Sequence, residues 1–424
     1  MTAPTRAPLR VAVTALGCKV NFAEMAELAG TLAAAGCDVV PDDESADVRV
    51  LNSCTVTTQA DATTRQRLAR LRRRDPDAHI VLTGCSVDAN PGLYTPGHGP
   101  IDAVFANPDK HAIAAHVISL APPSVPARPL LQLRSRAFIK VQDGCNHRCT
   151  YCIVWQARGV SQSVAPELVM SQARDALAAG QRELILCGVD LGSYGRDIGT
   201  TLAALLEGLL DLAGSEGRIR LSSINANDVT PALIELNAHP RLCSHWHMPL
   251  QSGSDAVLRA MHRGYRRAQY LRVVRTLRAH DPDTQFTSDV MVAFPGESED
   301  DHGDTLSLID EVGFLACHVF RWSPRPGTPA TVLAQRIDDA TARRRSAEVR
   351  RAAATTGAIA RRNALGAEHE VVWDSVDGDV AHGLTSTYRE VVAAASPRTR
   401  PGALSRVRAH ALDGDRLRVR LLRP

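Results

Sequence analysis

Apolar and polar positions along the 424 residues fall into three successive patterns. Up to about residue 129, short runs rich in leucine and β-branched residues (9–16, 47–51, 79–83) alternate with stretches of helical period, 24–35 and 60–74. Strand then helix, repeated, is the pattern of βαβ units around a parallel sheet. Six further runs follow, at 137–141, 183–187, 219–223, 246–250, 286–294 and 317–322, each separated from the next by a helical stretch. Such a sixfold repeat predicts a partial (β/α)6 barrel, whose working residues belong at the carboxyl ends of its strands. From about Gly366 the period drops to two: 370–373, 388–393, 404–411 and 416–422 alternate apolar with polar, with Asp377-Gly378 and Asp413-Gly414 as hairpin turns. A small β-barrel of the OB-like kind, which often binds RNA, is expected there. The fold class read from these patterns is α/β, with an N-terminal parallel-sheet domain over 1–129, a partial barrel over 130–365 and a C-terminal β-barrel over 366–424. The prolines between 121 and 129 suit a linker.

Composition narrows the setting. The net charge of +3 is too small to imply nucleic acid by itself. Arginines nevertheless crowd two helical stretches: Arg65, Arg67, Arg70, Arg72, Arg73 and Arg74, then Arg343, Arg344, Arg345, Arg350, Arg351, Arg361 and Arg362. Each group can meet RNA phosphates or simply form a solvated helix face. Residues 1–8 hold Arg6 and two prolines and no apolar core, so no secretory leader is expected. No run of eighteen apolar residues occurs, so no membrane span is expected either. A cytoplasmic, reducing location follows, where ten cysteines are more often metal ligands or catalytic groups than disulfides.

Three of those cysteines, Cys145, Cys149 and Cys152, stand in a C-x3-C-x2-C run directly after the first strand of the partial barrel. Three thiolates can hold three irons of a [4Fe-4S] cubane and leave the fourth open to a substrate or cosubstrate, whereas four cap every iron. Three more, Cys18, Cys54 and Cys85, each follow a strand of the first segment. Strand carboxyl ends in an open α/β sheet face one crevice, so these thiols can converge into a second metal site. Glycine-rich or polar punctuation follows the later strands as well: Gly188 to Gly192, Gln251-Ser252-Gly253-Ser254, Gly296-Glu297, and Arg325 in a run from Ser323 to Ala330.

The Cys145 run, with the aromatic Tyr151 before its last cysteine, resembles the cluster motif of the radical S-adenosylmethionine superfamily. With Cys18, Cys54 and Cys85 ahead of it, the chain resembles the methylthiotransferases, and Gly383 to Tyr388 is similar to part of their final TRAM barrel. Leu16-Gly17-Cys18-Lys19-Val20-Asn21, Ala157-Arg158-Gly159 and Pro249 to Asp255 are most similar to the branch that modifies N6-threonylcarbamoyladenosine in tRNA. The resemblance implies two [4Fe-4S] clusters, on Cys18, Cys54, Cys85 and on Cys145, Cys149, Cys152, with the second trio catalytic and S-adenosylmethionine as cosubstrate. It implies a methylthio group added at C2 of adenosine 37 in a tRNA anticodon stem-loop, with electrons from a donor of flavodoxin or ferredoxin type. Tyr151 would then pack near the cosubstrate adenine, Gln251 and Ser252 by its ribose or methionine, and Arg325 against a carboxylate, with Gly188 and Gly296 in cofactor-facing turns. The chain departs from the family pattern at Trp155, Asn225 and Ala293. Alternatives are isopentenyladenosine or a ribosomal-protein aspartate as substrate, and a noncatalytic RNA-binding protein with His147 as fourth ligand of a structural zinc.

Overall fold

The computed structural model describes residues 7–90, 92–97, 99–121, 135–333 and 335–422. All of the expected linker beyond Ala121 lies outside the described residues. The chain divides into two compact units. Asp143–Asn146 and Cys152–Val160 group with the N-terminal residues, while His147–Tyr151 groups with the rest of the chain.

In the first unit, strands β1 (Arg10–Ala15), β2 (Asp38–Val40), β3 (Val48–Ser53), β4 (His79–Gly84) and β5 (Ala103–Phe105) form one parallel sheet in the order β2-β1-β3-β4-β5. Helices α1 (Lys19–Ala34), α2 (Thr58–Arg74), α3 (Cys85–Ala89) and α4 (Ala112–Ser119) complete it, with α5 (Val154–Arg158) from the later segment. Both faces of the sheet are covered, which is why its strands read as nearly continuous apolar runs. Val50 and Val81 pack with Leu32 of α1 and Val117 of α4, whereas their neighbours Leu51 and Leu82 pack with Leu68 and Leu71 of α2. The three-residue strands β2 and β5, too short to show a pattern in the sequence, close the edges.

The strand order reverses direction between β1 and β3. In open α/β sheets ligands bind beyond the carboxyl ends at such a switch point. Cys18 follows β1 and Cys54 follows β3.

In the second unit, β6 (Ala137–Lys140) pairs with β9 (Glu183–Cys187), and β9 with β10 (Arg218–Leu221); β7 (Gln142–Asp143) and β8 (Gln162–Ser163) are two-residue strands between. β11 (His245–His247), β12 (Gln285–Val292) and β13 (Ala316–Arg321) form a second parallel set. Parallel bridges Ile219–Leu242 and Ser223–His247 join the two sets. The result is an arc of six parallel strands, the expected partial barrel. Helices α6 (Pro166–Ala178), α7 (Leu202–Ala213), α8 (Pro231–Leu236), α9 (Asp255–Ala260), α10 (Arg267–His280), α11 (Glu299–Val312) and α12 (Asp339–Arg362) follow the strands. Alternate strand residues Phe286, Val290 and Val292 pack with Leu308, Ile309 and Val312 of α11, which turns Thr287 and Asp289 to the concave face.

Strands β14 (Glu368–Asp377), β15 (Val380–Thr385), β16 (Glu390–Ala394), β17 (Leu404–Asp413) and β18 (Arg416–Leu421) close a barrel around Trp373, Val391, Val407, Leu417 and Val419. Register shifts after Trp373 and Ala409 let the long strands β14 and β17 curve. β15 is absent from the expected strands because His382 and Gly383 in its middle break its apolar pattern.

A buried charged joint holds this barrel to the amino ends of β9 and β10. Glu183 is fully buried between Arg218 and Arg220, with Arg220 Nε 2.8 Å from its Oε1 and Arg218 Nε 2.7 Å from its Oε2. The Nη atoms of the two guanidiniums also donate to the carbonyls of Glu370, Leu384, Thr385 and Ser386 at 2.9 to 3.1 Å. Tyr388 stacks on His245 with ring centroids 4.1 Å apart. Burial alone pushes the Glu183 carboxyl up, but the two guanidiniums outweigh it and hold its pKa well below the usual carboxylate range.

Candidate functional site

Topology brings the three N-terminal cysteines together. Cys18 precedes α1 as its N-cap, in extended backbone with no capping side chain, and Cys85 opens α3. Two helix amino ends, each with a positive partial charge, thus stand at these sulfurs. Gly17 has φ 89°, and a Cβ there would lie 2.5 Å from the Cys54 sulfur, so only glycine lets the first strand end approach the second. Burial pushes the Cys54 thiol up to about 11, with Cys18 and Cys85 adding to the rise. Desolvation also raises the Cys18 thiol, although its side chain reaches solvent; Arg158 opposes that rise and Cys85 adds to it. Three mutually coupled thiols, two of them raised, form a donor set that suits a metal carrying the charge they lack.

Arg158 of α5 is built into this centre. Its Nε donates to the Cys85 sulfur at 3.1 Å, and its side chain is 1 % exposed. Its Nη1 meets Glu24 Oε1 and Asp143 Oδ1, both at 2.9 Å, and Nη2 meets Asn21 Oδ1 at 2.6 Å. Glu24 is held in turn by Lys110 at 2.5 Å and by Asn52 at 3.0 Å. Arg158 stands in the Ala157-Arg158-Gly159 run of the family resemblance, but its partners Asn21, Glu24 and Cys85 lie 73 to 137 residues away and could not be read from the sequence.

The central trio occupies one loop after β6. Gly144 has φ 70°, and a Cβ there would stand 1.9 Å from the Val160 carbonyl oxygen, while the Cys145 N–H donates to Gly159 O at 3.1 Å. Arg148 is also left-handed at φ 54°, an uncommon state for a non-glycine residue and one that clusters at functional sites. Thr150 pins the next part: its N–H and hydroxyl donate to Met261 O and Ala260 O, and its carbonyl accepts from Ala330. The buried Cys149 sulfur accepts from Arg263 Nη1 at 3.4 Å. Arg263 also donates to the Tyr265 hydroxyl at 3.2 Å and to Asn225 Oδ1. Arg263 was not among the residues expected from the sequence.

His147 turns its Nε2 toward two carboxylates, 3.2 Å from Asp190 Oδ1 and 3.5 Å from Asp228 Oδ2, and the ligand atoms of these three side chains lie within 4.8 Å of one another. The carboxylates push its pKa up to about 10.

The other expected contacts are spread over the strand ends of the second unit. Tyr151 packs against Val257, Met261, Phe294 and Ala330. Gly188 follows β9, where a Cβ would meet Gln142 Oε1 at 2.9 Å. Gln251 is 8 % exposed at φ 63°, and its side-chain amide makes no hydrogen bond among the described residues. The Ser252 hydroxyl accepts from Ser254 N–H at 3.2 Å and lies 3.3 Å from the Thr305 hydroxyl, so it shapes the loop before α9. Gly296 has φ 84° and donates to Gln335 O at 3.1 Å. Arg325 is 6 % exposed, too buried for a surface ion pair.

The arginine-rich helices are largely engaged within the protein. Arg67 pairs with Asp42 and Arg72 with Asp102, while Arg74 donates to the carbonyls of Asp42 and Glu44. On α12, Arg343 pairs with Asp339, Arg344 and Arg345 with Glu299, and Arg361 with Asp415. Arginines spaced on one helix do not disclose acidic partners on others.

Comparison with known proteins covers both trios. The Radical SAM superfamily model matches residues 139–309, and the model described as uncharacterized protein family UPF0004 matches residues 10–106. The threonylcarbamoyladenosine tRNA methylthiotransferase MtaB of Thermotoga maritima is 36 % identical over 394 residues, covering 90 % of this chain and 89 % of that protein. The protein of the same description from Bacillus subtilis is 33 % identical over 410 residues, 90 % of each. A tRNA-2-methylthio-N(6)-dimethylallyladenosine synthase of a Parafrankia species is 34 % identical over 350 residues, 77 % of this chain and 70 % of that one. Among solved structures, the radical S-adenosylmethionine methyltransferase TsrM of Kitasatospora setae, with cobalamin and a [4Fe-4S] cluster bound, superposes with a TM-score of 0.57 over 77 % of each chain. At 14 % identity that likeness concerns the fold alone.

Proposed function

Because this chain belongs to the radical S-adenosylmethionine methylthiotransferases of tRNA, we propose that it adds a methylthio group to C2 of N6-threonylcarbamoyladenosine beside the anticodon. The observation that carries this reading is the convergence of Cys18, Cys54 and Cys85 at the switch point of the first sheet. A second metal centre in addition to the C-x3-C-x2-C loop is what transfer of a sulfur group, rather than radical generation alone, requires. Adenine C2 is an unactivated C–H carbon, out of reach of acid–base side chains. When bound, two [4Fe-4S] clusters and S-adenosylmethionine supply the radical and sulfur chemistry that this carbon needs.

The chain's own residues hold and orient. Cys145, Cys149 and Cys152 are the ligands of the catalytic centre, and Cys18, Cys54 and Cys85 those of the second. The Gln251 amide, fixed by the left-handed turn at the end of the strand-like run after β11, is a donor and acceptor for the cosubstrate. Tyr151 offers an apolar ring beside it, and the buried Arg325 a cation for a carboxylate. Electrons come from a donor of flavodoxin or ferredoxin type, and the reaction belongs in the cytoplasm, where tRNA is.

The tRNA surface extends to the C-terminal barrel. Arg406, Arg408, Arg418 and Arg420 are exposed on β17 and β18, and Arg408 stands directly opposite Arg420 in register. Arg406 and Arg408 share the single carboxylate Glu368 and Arg418 meets Asp413, so the face keeps an excess of positive charge that phosphates can meet. Replacing Arg408 and Arg420 with alanine lowers the salt-dependence slope of tRNA binding by about 2.

The test of the function is nucleoside mass spectrometry of tRNA from cells with and without the gene. Loss of the methylthio-threonylcarbamoyladenosine peak on deletion, with return on complementation, is expected. An unchanged peak rejects the substrate.

A further inference from the structure

Each cysteine trio has one arginine directed at one of its sulfurs, but the two guanidiniums are compensated differently. Arg158, on Cys85, contacts two carboxylates, Glu24 and Asp143. Lys110 adds a second cation on Glu24, and Asp88, close enough to act on both Lys110 and Arg158, adds a further carboxylate. Among the described residues, Arg263, on Cys149, contacts uncharged groups besides sulfur, namely the Tyr265 hydroxyl and the Asn225 amide oxygen. A carboxylate at 225 would neutralise it, and this chain has asparagine there. Asn225 in turn donates its amide to Asp190 at 3.3 Å, and Asp190 also lies 3.2 Å from His147 Nε2.

Reduction adds an electron to an iron–sulfur cluster, and its potential depends on net charge and on hydrogen bonds to the sulfurs. A guanidinium on a ligating thiolate stabilises the reduced form, and charge-assisted bonds are the strong ones. Neighbouring carboxylates cancel the charge and leave only the bond.

We propose that Arg263 sets the reduction potential of the centre on Cys145, Cys149 and Cys152 through an uncompensated guanidinium on the Cys149 sulfur. Arg158, its counterpart on Cys85, acts as a compensated donor, so the two centres are electrically unequal. This rests on reading both trios as cluster ligands, and iron content tests that reading separately.

The experiment measures midpoint potentials of reconstituted full-length protein by paramagnetic-resonance-monitored redox titration, without S-adenosylmethionine. The central centre is isolated in a Cys18→Ala/Cys54→Ala/Cys85→Ala background and the other in a Cys145→Ala/Cys149→Ala/Cys152→Ala background. Arg263→Gln is expected to shift the central midpoint to more negative values, Arg263→Lys to hold most of the original value, and Arg158→Gln to shift its own centre by less than Arg263→Gln shifts the central one. An unmoved midpoint in Arg263→Gln with iron retained, or an equal or larger shift in Arg158→Gln, overturns the inference alone. If Arg263→Gln loads no iron, Arg263→Lys must load it at the original midpoint; failure of both makes Arg263 a folding residue and overturns the inference. Absence of iron in the two cysteine backgrounds overturns the ligand assignment and this inference with it.

Discussion

The two cysteine trios reach the same composition by opposite routes. Cys18, Cys54 and Cys85 belong to three different strand ends and meet only because β1, β3 and β4 lie side by side. Cys145, Cys149 and Cys152 share one short loop, whose shape comes from Gly144, Arg148 and the anchors of Thr150. The first centre is a product of topology and the second of local backbone. Damage to either should therefore stay where it is made, and the two can be taken apart.

The largest separation comes from the ligands themselves. Cys149→Ala is expected to abolish both deoxyadenosine release and tRNA modification, whereas Cys54→Ala abolishes modification and keeps deoxyadenosine release. Chromatographic product analysis checks this, and modification surviving in either variant breaks the division of labour.

Next in size is a change that should spare both centres. Glu183→Gln leaves two buried guanidiniums without their carboxylate, and breaking such a pair costs about 3–5 kcal/mol. Chemical denaturation should show that loss while iron content stays at the wild-type value. The acid limit follows from the same pair. Because the folded Glu183 pKa is lowered, its contribution is fully present above the ordinary carboxylate range and fades only as pH falls through the lower folded value. Wild-type protein should show no loss from this group between pH 8 and 5.

Two glycines test the two routes directly. Gly17→Ala drives a methyl into the Cys54 sulfur and is expected to remove the N-terminal iron while leaving the central centre. Gly144→Ala drives one into the Val160 carbonyl and is expected to do the reverse. Each also costs about 1–3 kcal/mol in crowding. Iron and sulfide analysis distinguishes them, and equal losses from both centres in either variant would contradict local control. The smallest effect is at Ala293, an alanine at φ 58° in the turn after β12. Ala293→Gly should raise stability by about 1 kcal/mol, seen as a shifted denaturation midpoint at unchanged iron content.

The same contrast explains what the sequence disclosed. Strand-end cysteines were visible because apolar runs mark strands and the residue after each run can be read directly. The six strands of the arc were visible for the same reason. The short edges β2 and β5 were not, since three residues show no period. Arg263 and the contacts of Arg158 were hidden for a different reason: their sulfur and amide partners are distant along the chain, and an arginine announces its charge but not its partner. The arginine-rich helices, which the sequence left open between phosphate binding and a plain helix face, are partly occupied by Asp42, Asp102 and Glu299.

The joint at Glu183 also fixes the distance that any substrate gripped by both the barrel and the strand ends would have to span. It fastens the C-terminal barrel to the starting ends of β9 and β10, whereas Gly188 and Gln251 stand past the finishing ends of the arc. Five residues of strand separate those levels by roughly 17 Å. A lone nucleoside is too short to touch both, so a polynucleotide that spans the height of the arc gains a grip that its modified base alone never offers.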